Sequence, residues 1–155
     1  TRLTQNLAAA GQRAERRTLR LETLPADPRE AEALALPPGA RVHVWEGISL
    51  ADGVPISLFR SAFDAARFPD LAGALARLQS VTAALAAAGV ADYTRATTRL
   101  SAESADPVRA RHLMLPPGAP LLRAVAVNVD AAGQPVEYGR TWFAGERVQL
   151  VVENT

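Results

Sequence analysis

The 155-residue chain has no cysteine. Disulfide frameworks, thiolate metal sites and cysteine nucleophiles are therefore excluded. Neither sign of charge prevails. The net charge is +1, and the arginines are spread along the chain rather than gathered into a block, so nothing here argues for nucleic acid as the direct partner. No apolar run approaches the roughly 18 residues a membrane span needs, and no signal peptide opens the chain. A cytoplasmic protein is the expectation. The two histidines, His43 and His112, show no metal-ligand spacing. Gly-x-Ser-x-Gly elbows, phosphate-binding loops and dinucleotide fingerprints are absent too. No catalytic set, metal or cofactor is expected. The chain opens on Thr1 rather than methionine, and a fragment of a longer protein is expected.

What is present is ordinary globular composition, 48% hydrophobic and 21% charged residues, enough for a single domain with one core. It also contains an internal repeat. Shifted by 79 residues, Arg20–Ala40 lies on Arg99–Ala119 with twelve of 21 positions identical, where roughly two are expected by chance. The match includes Ala26-Asp27-Pro28 with Ala105-Asp106-Pro107, and Leu36–Ala40 with Leu115–Ala119. After one inserted residue it resumes at a shift of 80: Gly53-x-Pro55 answers Gly133-x-Pro135, Arg60 answers Arg140, and Phe63 answers Phe143. Two long copies point to a pseudo-symmetric single domain rather than a solenoid.

Each copy decodes in the same way. Asp27 and Asp106 are helix N-caps with proline at the first helical position. The helices, over 28–36 and 107–114, stop at Pro-Pro-Gly. Val42, Val44, Ile48 and Leu50 alternate with His43, Trp45, Gly47 and Ser49, the period of a strand. Asp52-Gly53 and Ala132-Gly133 are hairpin turns, with return strands over 54–63 and 134–143. Extended stretches over 14–24 and 91–103 precede the helices. The sum is an α+β domain with a six-stranded, mainly antiparallel sheet. The tail over 147–153 alternates and adds an edge strand. Outside the repeat, a helix over 4–10 begins at Thr4 as N-cap. Residues 70–88 form two helical pieces, one starting near Asp70 and one capped by Ser80 and closed by Gly89.

Few residues invite chemistry. His112 falls on a short amphipathic helix and reads as a surface or packing residue. His43 shares a strand face with Trp45 and either packs or lines a pocket. Glu30/Glu32 and Glu103/Asp106 read as helix-entry or solvated charges. Glu137, inside a strand, needs a partner: an arginine or a ligand.

Several motifs in order resemble one family. They are Arg2-Leu3-Thr4-Gln5-Asn6-Leu7 followed by Gly11, Leu-x-Pro-Pro-Gly-Ala, Gly-x-Pro-x-x-x-x-Arg, Leu78-Gln79-Ser80 opening a helix, and Pro135-Val136-Glu137-Tyr138. From residue 2 to about 152 the chain resembles the effector-binding (UTRA) domain of GntR-type transcription regulators, HutC subfamily. The opening motif and Pro-x-Glu-Tyr are most similar to the phosphonate-metabolism regulators. The resemblance implies a chorismate-lyase-like fold and dimerisation through this domain. It also implies an N-terminal winged helix-turn-helix outside this chain, through which alone DNA would be contacted. A small anionic effector, phosphonate or phosphate-like, is implied as ligand.

Thr4 and Ser80, as helix N-caps, are anion-receptive positions, and in relatives that bind phosphorylated sugars their counterparts contact phosphate. Those relatives carry two arginines where this chain has Gly47 and Ser49, so an anion needs another cation: Arg2, Arg60, Arg95 or Arg140. Trp45 and Phe59 supply an apolar wall. The candidate effector-contacting residues are Arg2, Thr4, Trp45, Ser49 and Phe59 from the first half, and Ser80, Arg95, Glu137, Tyr138 and Phe143 from the second. Two rival readings stand beside this one: a chorismate-lyase-like enzyme, and a dimerisation module without effector.

Overall fold

The computed structural model describes residues 2–5 and 14–153, with side chains from Glu15 onward. The strands are β1 (Arg2–Gln5), β2 (Ala14–Pro25), β3 (Arg41–Ala51), β4 (Val54–Asp64), β5 (Tyr93–Ser104), β6 (Pro120–Asp130), β7 (Pro135–Ala144) and β8 (Leu150–Glu153). The helices are α1 (Pro28–Ala33), α2 (Leu71–Leu78), α3 (Val81–Ala87) and α4 (Pro107–Leu113). Each repeat builds three neighbouring strands, and the copies join through β4 and β7 into one sheet of order β2-β3-β4-β7-β6-β5. Every pairing in that sheet is antiparallel. The expected six-stranded α+β architecture is present.

Local chemistry accounts for the elements. Asp27 Oδ1 accepts from the Glu30 amide at 2.7 Å, and Asp106 Oδ1 accepts from the Arg109 amide at 2.8 Å. Both helices carry proline in the first turn, where a missing N–H costs nothing. The first hairpin turns on Asp52 (φ 49°) and Gly53 (φ 79°), the two left-handed residues a type I′ turn requires. The second copy has one residue more here. Asp130 N donates to Gln134 O and only Gly133 (φ 81°) is left-handed, as in a three-residue loop. The single insertion between the repeats is absorbed in this turn.

Two terminal expectations are corrected. Arg2–Gln5 is a strand, not the start of a helix capped by Thr4; the rest of that expected helix, residues 6–10, lies outside the described residues. The tail does not extend the large sheet. Leu150–Glu153 pairs antiparallel with β1 in a separate two-stranded sheet, so the competing long-range ladder overrides the local capping signal.

The β4–β7 register exposes the symmetry. Arg60 stands opposite Arg140; Phe59–Thr141 and Ser61–Gly139 flank that pair, followed by Leu58–Trp142 and Ala62–Tyr138. The 80-residue shift maps each flanking pair onto its counterpart, so a local twofold axis passes between Arg60 and Arg140. Like charges directly opposite on neighbouring strands repel. Glu30 resolves the conflict; of its two readings it is the helix-entry charge, completing the α1 capping box, and not a solvated one. Fully buried, its Oε2 accepts from Arg60 Nε at 3.1 Å and from Arg140 Nη2 at 3.0 Å. Glu46 Oε1 takes Arg60 Nη1 at 2.6 Å, and Asp27 Oδ2 takes Arg140 Nη2 at 3.3 Å. Burial lowers the Arg60 pKa, but the hydrogen bond and charge of Glu30, then those of Glu46, outweigh it and leave the pKa raised. Arg60 and Arg140 are both engaged in ion pairs.

The sheet faces differ in cover. On one face α1 packs Leu34 onto Val42, Val44, Ala62 and Tyr138, and α4 packs Ala110 and Leu113 onto Leu121 and Trp142. On the other, Trp45 and Phe63 meet Leu71, Leu75 and Leu85 of the α2–α3 hairpin. That hairpin follows the first repeat only. His43, on the same face, is buried; its Nε2 lies 2.7 Å from Phe68 O and its Nδ1 2.8 Å from Thr23 Oγ1. Packing, not pocket lining, is its role.

Removing the carboxylate in Glu30→Ala leaves the buried Arg140 without its closest counter-charge and facing the partly exposed Arg60, and a loss of roughly 3–5 kcal/mol in denaturant-measured stability is expected; a loss below about 1 kcal/mol would contradict the shared-carboxylate account. Acid should also destabilise the fold. Burial raises the Asp27 carboxyl, but the Glu30 amide and the Arg140 guanidinium together bring it below its ordinary value. Asp106 is lowered first by the Arg109 amide, and Asp130 first by the Arg67 hydrogen bond. The native state then holds fewer protons than the unfolded chain as pH falls through these groups. Stability should be level above about pH 5 and decline below about pH 4, less steeply in Asp27→Asn.

Candidate functional site

Two clefts of similar size open on opposite faces of the sheet, and their electrostatics separate them. The first, about 770 Å³, lies over the twofold axis between α1 and α4. Four of its five arginines stand against carboxylates; the fifth, the exposed Arg29, has no ion pair among the described residues. Arg60 and Arg140 are held as described. Arg109 Nη1 pairs with Asp106 Oδ2 at 2.5 Å and lies 4.0 Å from the Trp142 ring centroid, while Arg123 Nε stands 3.6 Å from Glu103 Oε1. His112 lines this cleft.

The second, about 750 Å³, lies on the face that carries α2 and α3, over the strands those helices leave open. Its wall is apolar on one side, where the Trp45 and Phe59 rings meet edge to face at 4.9 Å. Trp45 Nε1 donates to Thr18 Oγ1 at 3.0 Å, which fixes the indole. The floor is polar. Glu137 Oε2 accepts from Ser61 Oγ at 2.8 Å, and Oε1 accepts from Asn128 Nδ2 at 2.7 Å. Asn128 Oδ1 in turn accepts from Arg95 Nε at 2.8 Å, and Arg95 Nη1 donates to Thr98 Oγ1 at 3.1 Å. The arginine and the carboxylate are thus joined through a neutral amide, not as the direct ion pair that a mid-strand glutamate could have formed.

This cavity gathers Trp45, Ser49, Phe59, Ser80, Arg95, Glu137 and Phe143 of the expected set. Tyr138 is not among them. It follows Glu137 on β7, and successive strand residues point to opposite faces, so its ring packs with Leu34 and Val44 under α1. The side chains of Arg2 and Thr4 lie outside the described residues. Ser80 caps α3 as expected, with Oγ accepting from the Ala83 amide at 3.1 Å, although that helix is only seven residues long.

One residue was missed. Arg16 on β2 reaches inward until its guanidinium lies 5.4 Å from the Trp45 ring centroid and 5.5 Å from that of Phe59. It has no ion pair among the described residues. The signal was available: the 79-residue shift carries Arg16 onto Arg95, so the two cavity arginines are repeat mates on opposite edge strands. Gly47, where the resemblance implies arginine in sugar-phosphate-binding relatives, is covered. A Cβ there would stand 2.6 Å from Phe59 Cζ and 2.7 Å from Arg17 O. Phe59 fills the space such an arginine would need.

Among the described residues no cluster of three or more His, Cys, Asp or Glu side chains could hold a metal, and no helix is long and apolar enough to cross a membrane. A half-apolar cavity with a few convergent polar groups on an antiparallel α+β sheet is the form that small-molecule-binding sites take. Comparison with known proteins narrows this. Residues 9–149 match the UTRA domain. A curated relative, an uncharacterized HTH-type transcriptional regulator of Rhizobium meliloti, is 42% identical over 130 residues, 84% of this chain. The chain spans about half the length of that relative, 53%. The ligand-binding domain of a protein assigned to the GntR transcriptional regulators of Bordetella bronchiseptica superposes with a TM-score of 0.85 at 26% identity, covering 99% of this chain and 96% of that one. The effector domain of PhnF from Mycobacterium smegmatis gives 0.79 at 25% identity, covering 91% and 86%. The chain belongs to the UTRA domain family, the effector-binding domains of GntR-family transcriptional regulators, and its sheet is the chorismate-lyase-like one expected of them.

Gly47→Ala should be destabilising by about 1–3 kcal/mol, because the new methyl meets a backbone carbonyl as well as the ring. It should also displace Phe59. Unchanged stability, with the Phe59 ring resonances unmoved in NMR spectra, would contradict the close packing described.

Proposed function

We propose that the cavity over β5–β7 senses a small anionic effector, phosphonate or phosphate-like, and that binding modulates DNA contact by an N-terminal winged helix-turn-helix outside this chain. The observation that carries the reading is the contrast between the clefts: over the twofold axis Arg60, Arg140, Arg109 and Arg123 stand against carboxylates and only the exposed Arg29 does not, whereas both arginines of the second cavity, Arg16 and Arg95, have only aromatic faces and neutral polar groups as partners. A guanidinium left in that state recognises an anion with charge-assisted hydrogen bonds. The motif order supports placement in the HutC subfamily, and the likeness to the PhnF effector domain supports kinship with the phosphonate-metabolism regulators. The protein acts as a homodimer in the cytoplasm, the effector shifting the relative placement of the two DNA-binding domains by a coupling of about 1–3 kcal/mol. It acts without catalysis. Of the two histidines, one is locked in the core and the other faces the opposite cleft, so Glu137 has no acid–base companion of that kind.

A thermal-shift screen of phosphate, methylphosphonate, sugar phosphates and urocanate tests the site. A ligand at 100 times its Kd adds about 2.7 kcal/mol, a rise of roughly 5–11 °C. Arg95→Gln and Arg16→Gln should each diminish the rise, and Arg123→Gln in the other cleft should leave it intact. The assignment fails if no anion shifts the transition, or if Arg123→Gln alone abolishes the shift.

A further inference from the structure

Glu137 is the cavity group that an anion site does not explain. It is 8% exposed, and its partners are a hydroxyl and an amide, both neutral. No arginine or histidine stands within ion-pair distance of it among the described residues, and the chain contains no lysine. Burying a carboxylate with no counter-charge is costly. The same sheet shows how this protein treats another such group: Glu30 is surrounded by two guanidiniums. Glu137 is left with about half of its four acceptor positions unused. Its donors are also fixed in direction, because Arg95 holds the Asn128 carbonyl oxygen and so aims the amide nitrogen at Glu137.

Access to the carboxylate is built in. Gly139, opposite Ser61 on the neighbouring strand, takes the place that Phe59 has in the other repeat. A Cβ at Gly139 would lie 3.8 Å from both Glu137 Oε2 and Ser61 Oγ, so the missing side chain keeps the floor beside the carboxylate open. Arg16 comes from one edge of the sheet and Arg95 from the other, with Glu137 on the strand between. Glu15, exposed beside Arg16, also lines the cavity, so Glu137 is its one buried carboxylate.

We infer that the effector is a zwitterion, with an ammonium group seated on Glu137 and an anionic group held by Arg95 or Arg16. The inference rests on the anion-sensing reading and adds a substrate class to it: short amino-phosphonates, amino-phosphates or amino-carboxylates, whose opposite charges are a few bonds apart. A simple phosphate or sugar phosphate would satisfy the arginines and leave the carboxylate buried and unpaired.

The test is calorimetric titration of the purified chain with matched pairs: ω-aminoalkylphosphonates and alkylphosphonates of two to four methylenes, and the corresponding amino and plain carboxylates. For the fitting length, the amino compound should bind at least about tenfold more tightly than its partner, the lower end for a hydrogen bond to a charged group. Glu137→Gln, which keeps the shape of the side chain, should erase the preference, bringing the affinity ratio within each pair to about one; a preference that persists in this variant overturns the seating of the ammonium on Glu137. Equal binding of the two members of every pair by the wild type overturns the zwitterion inference and leaves the anion site standing. Binding of neither member of any pair overturns both. If Glu137→Gln does not fold, the wild-type series alone decides, since the preference is read there without any variant.

Discussion

Two arginines meet on the axis that relates the repeats, and the sheet depends on the carboxylate between them. Duplication put Arg60 opposite Arg140 at the seam where β4 and β7 join. An unrelieved pair of guanidiniums at that point would push the halves apart. Glu30 supplies the compensation from α1, reaching both with one oxygen. The second copy has Arg109 at the matching position, and this arginine has become a lid on Trp142 instead. The symmetry therefore holds for the backbone register and fails for the side chains that neutralise it. Glu30 alone reaches both arginines, while Glu46 and Asp27 each complete the neutralisation of one.

The same failure of symmetry makes the cavity. Each repeat provides a sheet half with an open face, but only the first is followed by a helical hairpin. Trp45 and Phe63 are closed over by Leu71, Leu75 and Leu85. Their side of the sheet became core, and the side formed by β5–β7 stayed hollow, with small or polar residues such as Ala124, Ala126 and Thr141 facing the space. Divergence at single positions finished the division. Phe59 roofs Gly47 on the filled side, while its mate Gly139 leaves the floor open on the hollow side.

Much of this was legible from the residues. The Asp-Pro caps, the two hairpins and the strand count follow from short-range chemistry, and the repeat multiplies each signal by two. The residues legible as a group, Trp45, Ser49, Phe59, Arg95, Glu137 and Phe143, do meet in one cavity. Other parts needed partners far away in sequence. Thr4 reads as a cap because its neighbours are helix-compatible; only the strand at the other end of the chain makes it extended. Glu30 reads as a helix-entry charge because its helix is short and charged, and nothing local announces the two arginines it will meet. Two misreadings were avoidable. Glu137 and Tyr138 are adjacent on a strand and cannot share a face. Arg16 is marked by the same repeat, whose 79-residue shift pairs it with Arg95.

The edge positions of the two cavity arginines carry a mechanical consequence. Arg16 and Arg95 are anchored on the two outermost strands of a single six-stranded sheet, about 24 Å apart at five strand spacings, yet both lean over the same floor. An effector seated on Glu137 and held by one of these arginines ties a central strand to an edge strand. It resists flattening of the sheet, and the strain it carries is delivered at the margins, where β2 follows the chain's first residues and β5 follows the α2–α3 hairpin. An occupied cavity would thus couple the middle of the sheet to its margin.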